Sequence, residues 1–179
     1  MDHPHECDHS SCKHANASVS QTLSEMDWER GLWNAAFYGD EEKVKSLISK
    51  ARNSRVIVNT PDDSGYTPLH YAARKGYVEI CKILIQNGAL IDAHTKSGLA
   101  TPLHKAAVAG KIETIKFLIQ SGACIDVQDA DGQTILHKAV ENKHFDLVNY
   151  LVETYPKLKA MTDVKGRCAT DYMSSPRDG

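Results

Sequence analysis

Four side chains able to hold a metal ion fall within eight residues near the start of the 179-residue chain: Cys7, His9, Cys12 and His14. Zinc accepts such mixed thiolate and imidazole sets as a tetrahedron with bonds of roughly 2.0–2.3 Å. Geometry is the obstacle, because zinc modules bring their second ligand pair from roughly a dozen residues away, and so short a segment closes around one ion only under strain. Three readings stand in order: a His-rich tail that takes up metal weakly, a zinc knuckle completed by a ligand from elsewhere, and a thiol pair with a redox role. A second set, His70, His104 and His137, recurs at intervals of 34 and 33 residues. Stacked helical units lie roughly 10 Å apart, so these imidazoles cannot share one ion.

No comparable reaction centre follows. The chain holds no glycine-rich phosphate loop, no His-Glu-x-x-His pair, no Gly-x-Ser-x-Gly elbow and no paired-carboxylate site, so no enzymatic activity is expected. With 41% apolar and 25% charged residues, the composition is that of an ordinary folded protein. No apolar run approaches the roughly 20 residues that span a bilayer, and the first residues lack the apolar stretch of a signal peptide. Cys7, Cys12, Cys81, Cys124 and Cys168 are odd in number and scattered, which fits free thiols in a reducing compartment. A cytoplasmic protein is predicted, with the nucleus a second compartment open to it. Of the net charge of -2, all of it falls in residues 1–20, where Asp2, Glu6 and Asp8 oppose Lys13. The neutral remainder argues against nucleic acid as a partner; no membrane association is expected, and the chain is read as a monomer.

Internal repetition specifies the architecture. Residues 65–93, 100–127 and 132–154 align, with Thr67, Thr101 and Thr134 in register. In each copy Gly65, Gly98 or Gly132 is read as the positive-φ residue of a tight turn, and the threonine as a helix N-cap. Pro68 and Pro102 fit the first helical position, and the pairs Ala72-Ala73 and Ala106-Ala107 let helices approach closely. After Gly76 or Gly110 a second helix follows, apolar at Val78, Cys81, Leu84 and Ile85 or at Ile112, Ile115, Leu118 and Ile119, up to Gly88 or Gly122, with Phe145, Val148, Leu151 and Val152 in the third copy. Helices this short are marginal alone. Each copy must therefore bury its apolar face on the next, which makes the chain an all-α solenoid.

The 67–73 and 101–107 segments, TPLHYAA and TPLHKAA, with 134–140, TILHKAV, as a close variant, resemble the ankyrin repeat. That resemblance implies helix-turn-helix repeats joined by β-hairpin-like fingers, a concave groove lined by first helices, and the binding of other proteins without activity of its own. The chain then divides into a disordered Cys/His-containing leader at 1–20, and a capping helix with an atypical first repeat at 21–51. An enlarged first finger follows at 52–63, then repeats at 64–95, 96–128 and 129–160, and a partial capping repeat with its tail at 161–179. Thr67, His70, Thr101, His104, Thr134 and His137 are the structural residues of the pattern.

Residues that the pattern leaves variable are the expected partner-binding set: Tyr66, Tyr71, Arg74, Lys75, Lys96, Leu99, Lys105, Lys138, Glu141 and Asn142. Lys105 and Lys138 at neighbouring positions suggest an acidic protein ligand, with a solvated face as the plainer reading. Cys81, Cys124 and Cys168 are expected as small core residues, and Trp28 and Trp33 as packing against the first repeat. Ile135 and Lys143 stand where the other copies have proline and glycine, so a less rigid loop is expected at 141–144. A metal-dependent regulatory module built on the leader, with the solenoid as scaffold, is the second functional reading. Its test is direct: deleting residues 1–15 should abolish zinc measured by mass spectrometry of the purified protein, and unchanged zinc content would discard the knuckle.

Overall fold

The computed structural model describes residues 31–174. Helices come in pairs: α1 (Leu32–Tyr38) with α2 (Glu41–Lys50), α4 (Pro68–Lys75) with α5 (Val78–Gln86), α6 (Pro102–Val108) with α7 (Ile112–Gln120), and α8 (Ile135–Glu141) with α9 (Phe145–Thr154). Between the first two pairs lies α3 (Ser54–Asn59); a 3-10 turn (Pro156–Ala160) and α10 (Asp171–Ser174) close the series. The first helices α1, α4, α6, α8 and α10 pack in a row. Ala35, Ala36, Ala72, Ala73, Ala106 and Ala107 are fully buried there, and Leu69, Leu103 and Leu136 are buried in one cluster with Leu84, Leu118 and Leu151 of the second helices. The core is thus a strip running through every repeat, with no single centre.

The three histidines join one repeat to the next. Each Nδ1 accepts the backbone N–H of its own N-cap threonine: Thr67 to His70 at 3.0 Å, Thr101 to His104 at 3.3 Å and Thr134 to His137 at 3.2 Å. An amide only donates, so Nδ1 is unprotonated and the ring proton sits on Nε2. From there it is donated, at 3.1 Å in every case, to Ala100 O, Gln133 O and Arg167 O in the following repeat. One end of the ring caps a helix while the other holds the next finger.

The fingers also bond to each other. Asp62, Asp129 and Asp163 begin turns in which the aspartate N–H donates to the carbonyl four residues on, Tyr66, Gln133 or Arg167. Lys96 N–H then donates to Ser64 O, Ala130 N–H to Gly98 O and Val164 N–H to Asp131 O, each at 3.0 Å. Gly65 and Gly132 serve two needs here. Both have φ in the left-handed region, and a Cβ on either would lie 2.6 or 2.7 Å from the next finger's donor nitrogen.

Three expectations need correction. The 52–63 segment is not one long finger: Asn53 accepts from Val56 N–H and caps α3, whose Val58 is buried, while Asn59 bonds Gly88 O and Leu90 N–H. Extra length there became a helical brace to the following repeat. Gly98 is not the positive-φ residue of the second finger; Leu99 is, at φ 46°. That turn closes over five residues, from Thr95 N–H to Ala100 O, so it carries one residue more than its neighbours. Finally, Cys124 is exposed and Cys168 half-buried, because they stand in loops outside the helical strip; only Cys81 is core, its thiol pushed up to about 12 by burial.

At 141–144, Lys143 takes the left-handed conformation at φ 59°. Trp33, half-buried, donates from Nε1 to Thr60 O at 2.8 Å, and Trp28 lies outside the described residues. So do the leader ligands Cys7, His9, Cys12 and His14.

Burial lowers the His70 pKa to about 4, against the partly opposing bond to Ala100, and lowers that of His104 in the same way. An unfolded imidazole titrates near 6.5, so below that pH the unfolded chain binds protons that the folded chain refuses. Stability is therefore complete above about pH 6.5 and falls toward pH 4, by about 3 kcal/mol from His70 alone. Urea midpoints followed by circular dichroism should decrease through this window, and with a shallower slope in His70→Asn; equal slopes would reject the assignment.

Candidate functional site

Each finger aspartate divides its carboxylate between two tasks. In the first finger Asp62 Oδ1 accepts from Ser64 N–H and Tyr66 N–H at 2.9 and 2.8 Å, while Oδ2 accepts from the Tyr71 hydroxyl. The third repeats the arrangement: Asp129 Oδ1 takes the Asp131 and Gln133 amides, and Oδ2 pairs with Lys138 Nζ at 2.6 Å. In the fourth, Asp163 Oδ1 takes the Lys165 and Arg167 amides, and Oδ2 receives the Tyr172 hydroxyl at 2.6 Å and the Arg167 guanidinium at 2.7 Å. Burial alone would raise the Asp163 pKa; the donors from Tyr172, Arg167 and Lys165 outweigh it and hold the carboxyl well below the usual range. Tyr71, Lys138 and Tyr172 occupy one position of the repeats that follow the first, third and fourth fingers, and the finger aspartate secures each to its own repeat.

The second finger breaks this pattern. Thr95 replaces the aspartate, its Oγ1 accepts Ala100 N–H at 3.0 Å, and it has no second oxygen to offer Lys105 at the corresponding position. Lys105 Nζ instead lies 4.6 Å from the centre of the Tyr66 ring. That ring belongs to a continuous aromatic row: Tyr66 to Tyr71 at 5.5 Å, Tyr71 to Phe37 at 6.0 Å and Phe37 to Tyr38 at 5.0 Å between centroids. Lys75 Nζ stands 3.9 Å over Phe37, and Tyr38 is 68% exposed. In the second finger, the inserted Leu99 is 47% exposed on a left-handed backbone. Such strain costs on the order of 1–2 kcal/mol in a non-glycine residue.

Tyr66, Tyr71, Lys75 and Lys105 of the expected partner-binding set are thus brought together. Arg74 is exposed at the end of the same helix, and Lys96 Nζ donates to Asp63 O at 3.0 Å. Lys138 is held internally by Asp129 and Gln133, so it is not the second free cation that the sequence suggested. Glu141 is half-buried, and exposed Asn142 donates back to Lys138 O. Phe37 and Tyr38 were missed, although Ala35-Ala36 align with Ala72-Ala73 and place them where Arg74 and Lys75 stand.

The second helices present a different surface. Lys45–Glu42, Lys82–Glu79 and Lys116–Glu113 are pairs three residues apart that neutralise their own charges, the mark of a solvated face. A cavity of about 780 Å³ beside α3, lined by Asn59, Leu90, Asp92 and His94 among others, gathers no cluster of reactive groups. Among the described residues, no set of three His, Cys, Asp or Glu is placed to hold a metal, and no helix is long and apolar enough to cross a membrane.

Sequence comparison agrees with this architecture. A family model described as "Ankyrin repeats (3 copies)" matches residues 9–96 and 90–162. Ankyrin repeat domain-containing protein 39 of Homo sapiens is 49% identical over 86 residues, 47% of this chain and 45% of that protein; its Bos taurus counterpart is 53% identical over 68 residues, 37% and 35% respectively. The chain spans less than half the length of these relatives. Ankyrin repeat and SAM domain-containing protein 1A of Homo sapiens is 43% identical over 112 residues, 62% of this chain but 10% of its own length.

The aspartate contacts differ in electrostatic weight. Asp129→Asn keeps the turn amides bonded but leaves Lys138, whose side chain is 15% exposed, without its counter-charge; a loss of about 2–3 kcal/mol is expected. Asp62→Asn weakens a bond to a neutral phenol and should cost about 1 kcal/mol. Urea denaturation of the two variants ranks them, and a larger loss for Asp62→Asn would contradict this account.

Proposed function

The chain belongs to the ankyrin-repeat family, and from that premise we propose that it is a non-enzymatic adaptor binding a protein ligand across its first helices and fingers, centred on Tyr66, Leu99 and Lys105. The observation that carries this reading is the contrast between its two faces. The second helices α2, α5 and α7 hold self-neutralised ion pairs and the series has, among the described residues, one cation over a ring, Lys116 on Tyr150, whereas the first-helix face offers a continuous aromatic row from Tyr38 to Tyr66 with both Lys75 and Lys105 over the rings. Exposed aromatic and cationic groups of this kind supply the anchors of protein interfaces. Catalysis is not part of the reading. Among the described residues every buried polar side chain already has a hydrogen-bond partner, and the recurring histidines are occupied at both ring nitrogens.

The adaptor is further read as monomeric, within the cytoplasm or nucleus, and without nucleic-acid or membrane ligands, in keeping with a body of equal acidic and basic content. Affinity purification from cells with quantitative mass spectrometry tests the face directly. Tyr66→Ser combined with Lys105→Glu should reduce recovered partners by about tenfold or more, while Lys82→Glu combined with Lys116→Glu should retain them. The reverse ranking would place the ligand on the second helices and refute the proposal.

A further inference from the structure

Comparison of the four fingers with each other identifies what the ligand must bring. At the first, third and fourth, one carboxylate oxygen closes the turn and the other satisfies a donor one position beyond the pattern histidine or its equivalent: Tyr71, Lys138 or Tyr172. Thr95 reproduces only the first of these bonds. The donor at the matching position of its repeat is Lys105, a full positive charge. Neighbouring acids are committed elsewhere, Asp62 to Tyr71 and two amides, Asp129 to Lys138 and two amides. His70 and His104, the pattern histidines of the preceding repeat and of the repeat that carries Lys105, are neutral. An ammonium over a phenol ring keeps its demand for an anionic acceptor.

We propose that Lys105 is an open latch: a carboxylate side chain of a bound peptide takes the place beside Lys105 that Asp62, Asp129 and Asp163 fill for their own repeats, so the adaptor selects segments containing Asp or Glu. This inference rests on the adaptor reading and names the ligand chemistry at its centre. The aromatic row continues the site on the first-repeat side, where Tyr66 receives the peptide backbone flanking the acidic residue. In the opposite direction along the stack Lys138 already has its carboxylate in Asp129, so the acidic residue of the bound segment is matched to Lys105.

The probe is a phage library of random linear peptides panned against the full chain, with selected peptides measured by fluorescence polarisation on wild type and variants. Selected sequences should share an Asp or Glu at one position. Lys105→Gln should weaken them about tenfold or more, and so should replacing that peptide residue by its amide, without further loss when the two changes are combined. Thr95→Asp supplies the missing carboxylate internally and should weaken the same peptides to a similar degree, whereas Thr95→Asn should leave affinity within about twofold. Lys105→Gln lies on a half-buried surface side chain and provides the test even if Thr95→Asp fails to fold, which thermal melting detects. Peptides that depend on Tyr66, lost with Tyr66→Ser, but lack an acidic residue or ignore Lys105→Gln would overturn the latch and leave the adaptor. Peptides indifferent to both Tyr66→Ser and Lys105→Gln, or no enrichment at all, would overturn both.

Discussion

Everything else in this molecule depends on a neutral imidazole spanning two repeats. Nδ1 must be unprotonated to receive the threonine amide, and that requirement forces the proton onto Nε2, where it reaches the carbonyl of the following finger. One side chain thereby satisfies an orphan amide at a helix start and an orphan carbonyl in a loop, both within a buried strip where unpaired groups are costly. Repeated three times, it fixes the distance between successive first helices. The fingers can then bond edge to edge, and the residues they carry fall into one line.

On that line the same chemistry is used with different completeness. Asp62, Asp129 and Asp163 each hold a neighbouring side chain within their own repeat, which satisfies its polar group internally. Thr95 with the inserted Leu99 interrupts the series, and a cation and a strained apolar residue come to the surface together. A strained apolar residue in the same repeat as a cation without an internal carboxylate partner fits a binding surface. Second-helix charges show the alternative outcome: paired along their own helices, they keep the outer face hydrated.

Legibility in the sequence followed the range of the forces involved. Helix pairs, N-cap threonines and the stacking of repeats could be read because capping and apolar periodicity act within a few residues of the chain. The α3 brace was readable only in part, since its Asn53 cap is local but the burial of Val58 and the bonds from Asn59 to Gly88 and Leu90 depend on the next repeat. Lys105 and Lys138 were equivalent by position, and nothing local separated them. Their difference lies in residues about ten positions upstream, aspartate in one case and threonine in the other, which the finger folds back onto the helix.

By itself the sequence determined that the chain is a stack of short paired helices belonging to the ankyrin family, because the period and the spacing of Thr, His, Ala and Gly leave those helices no other means of covering their apolar faces. Only the tertiary structure decided which variable residues remain at the surface. Exposure and pairing are set by what the adjoining finger and the adjoining repeat place opposite a side chain, and that partner is distant along the chain even when it lies within one hydrogen bond in space.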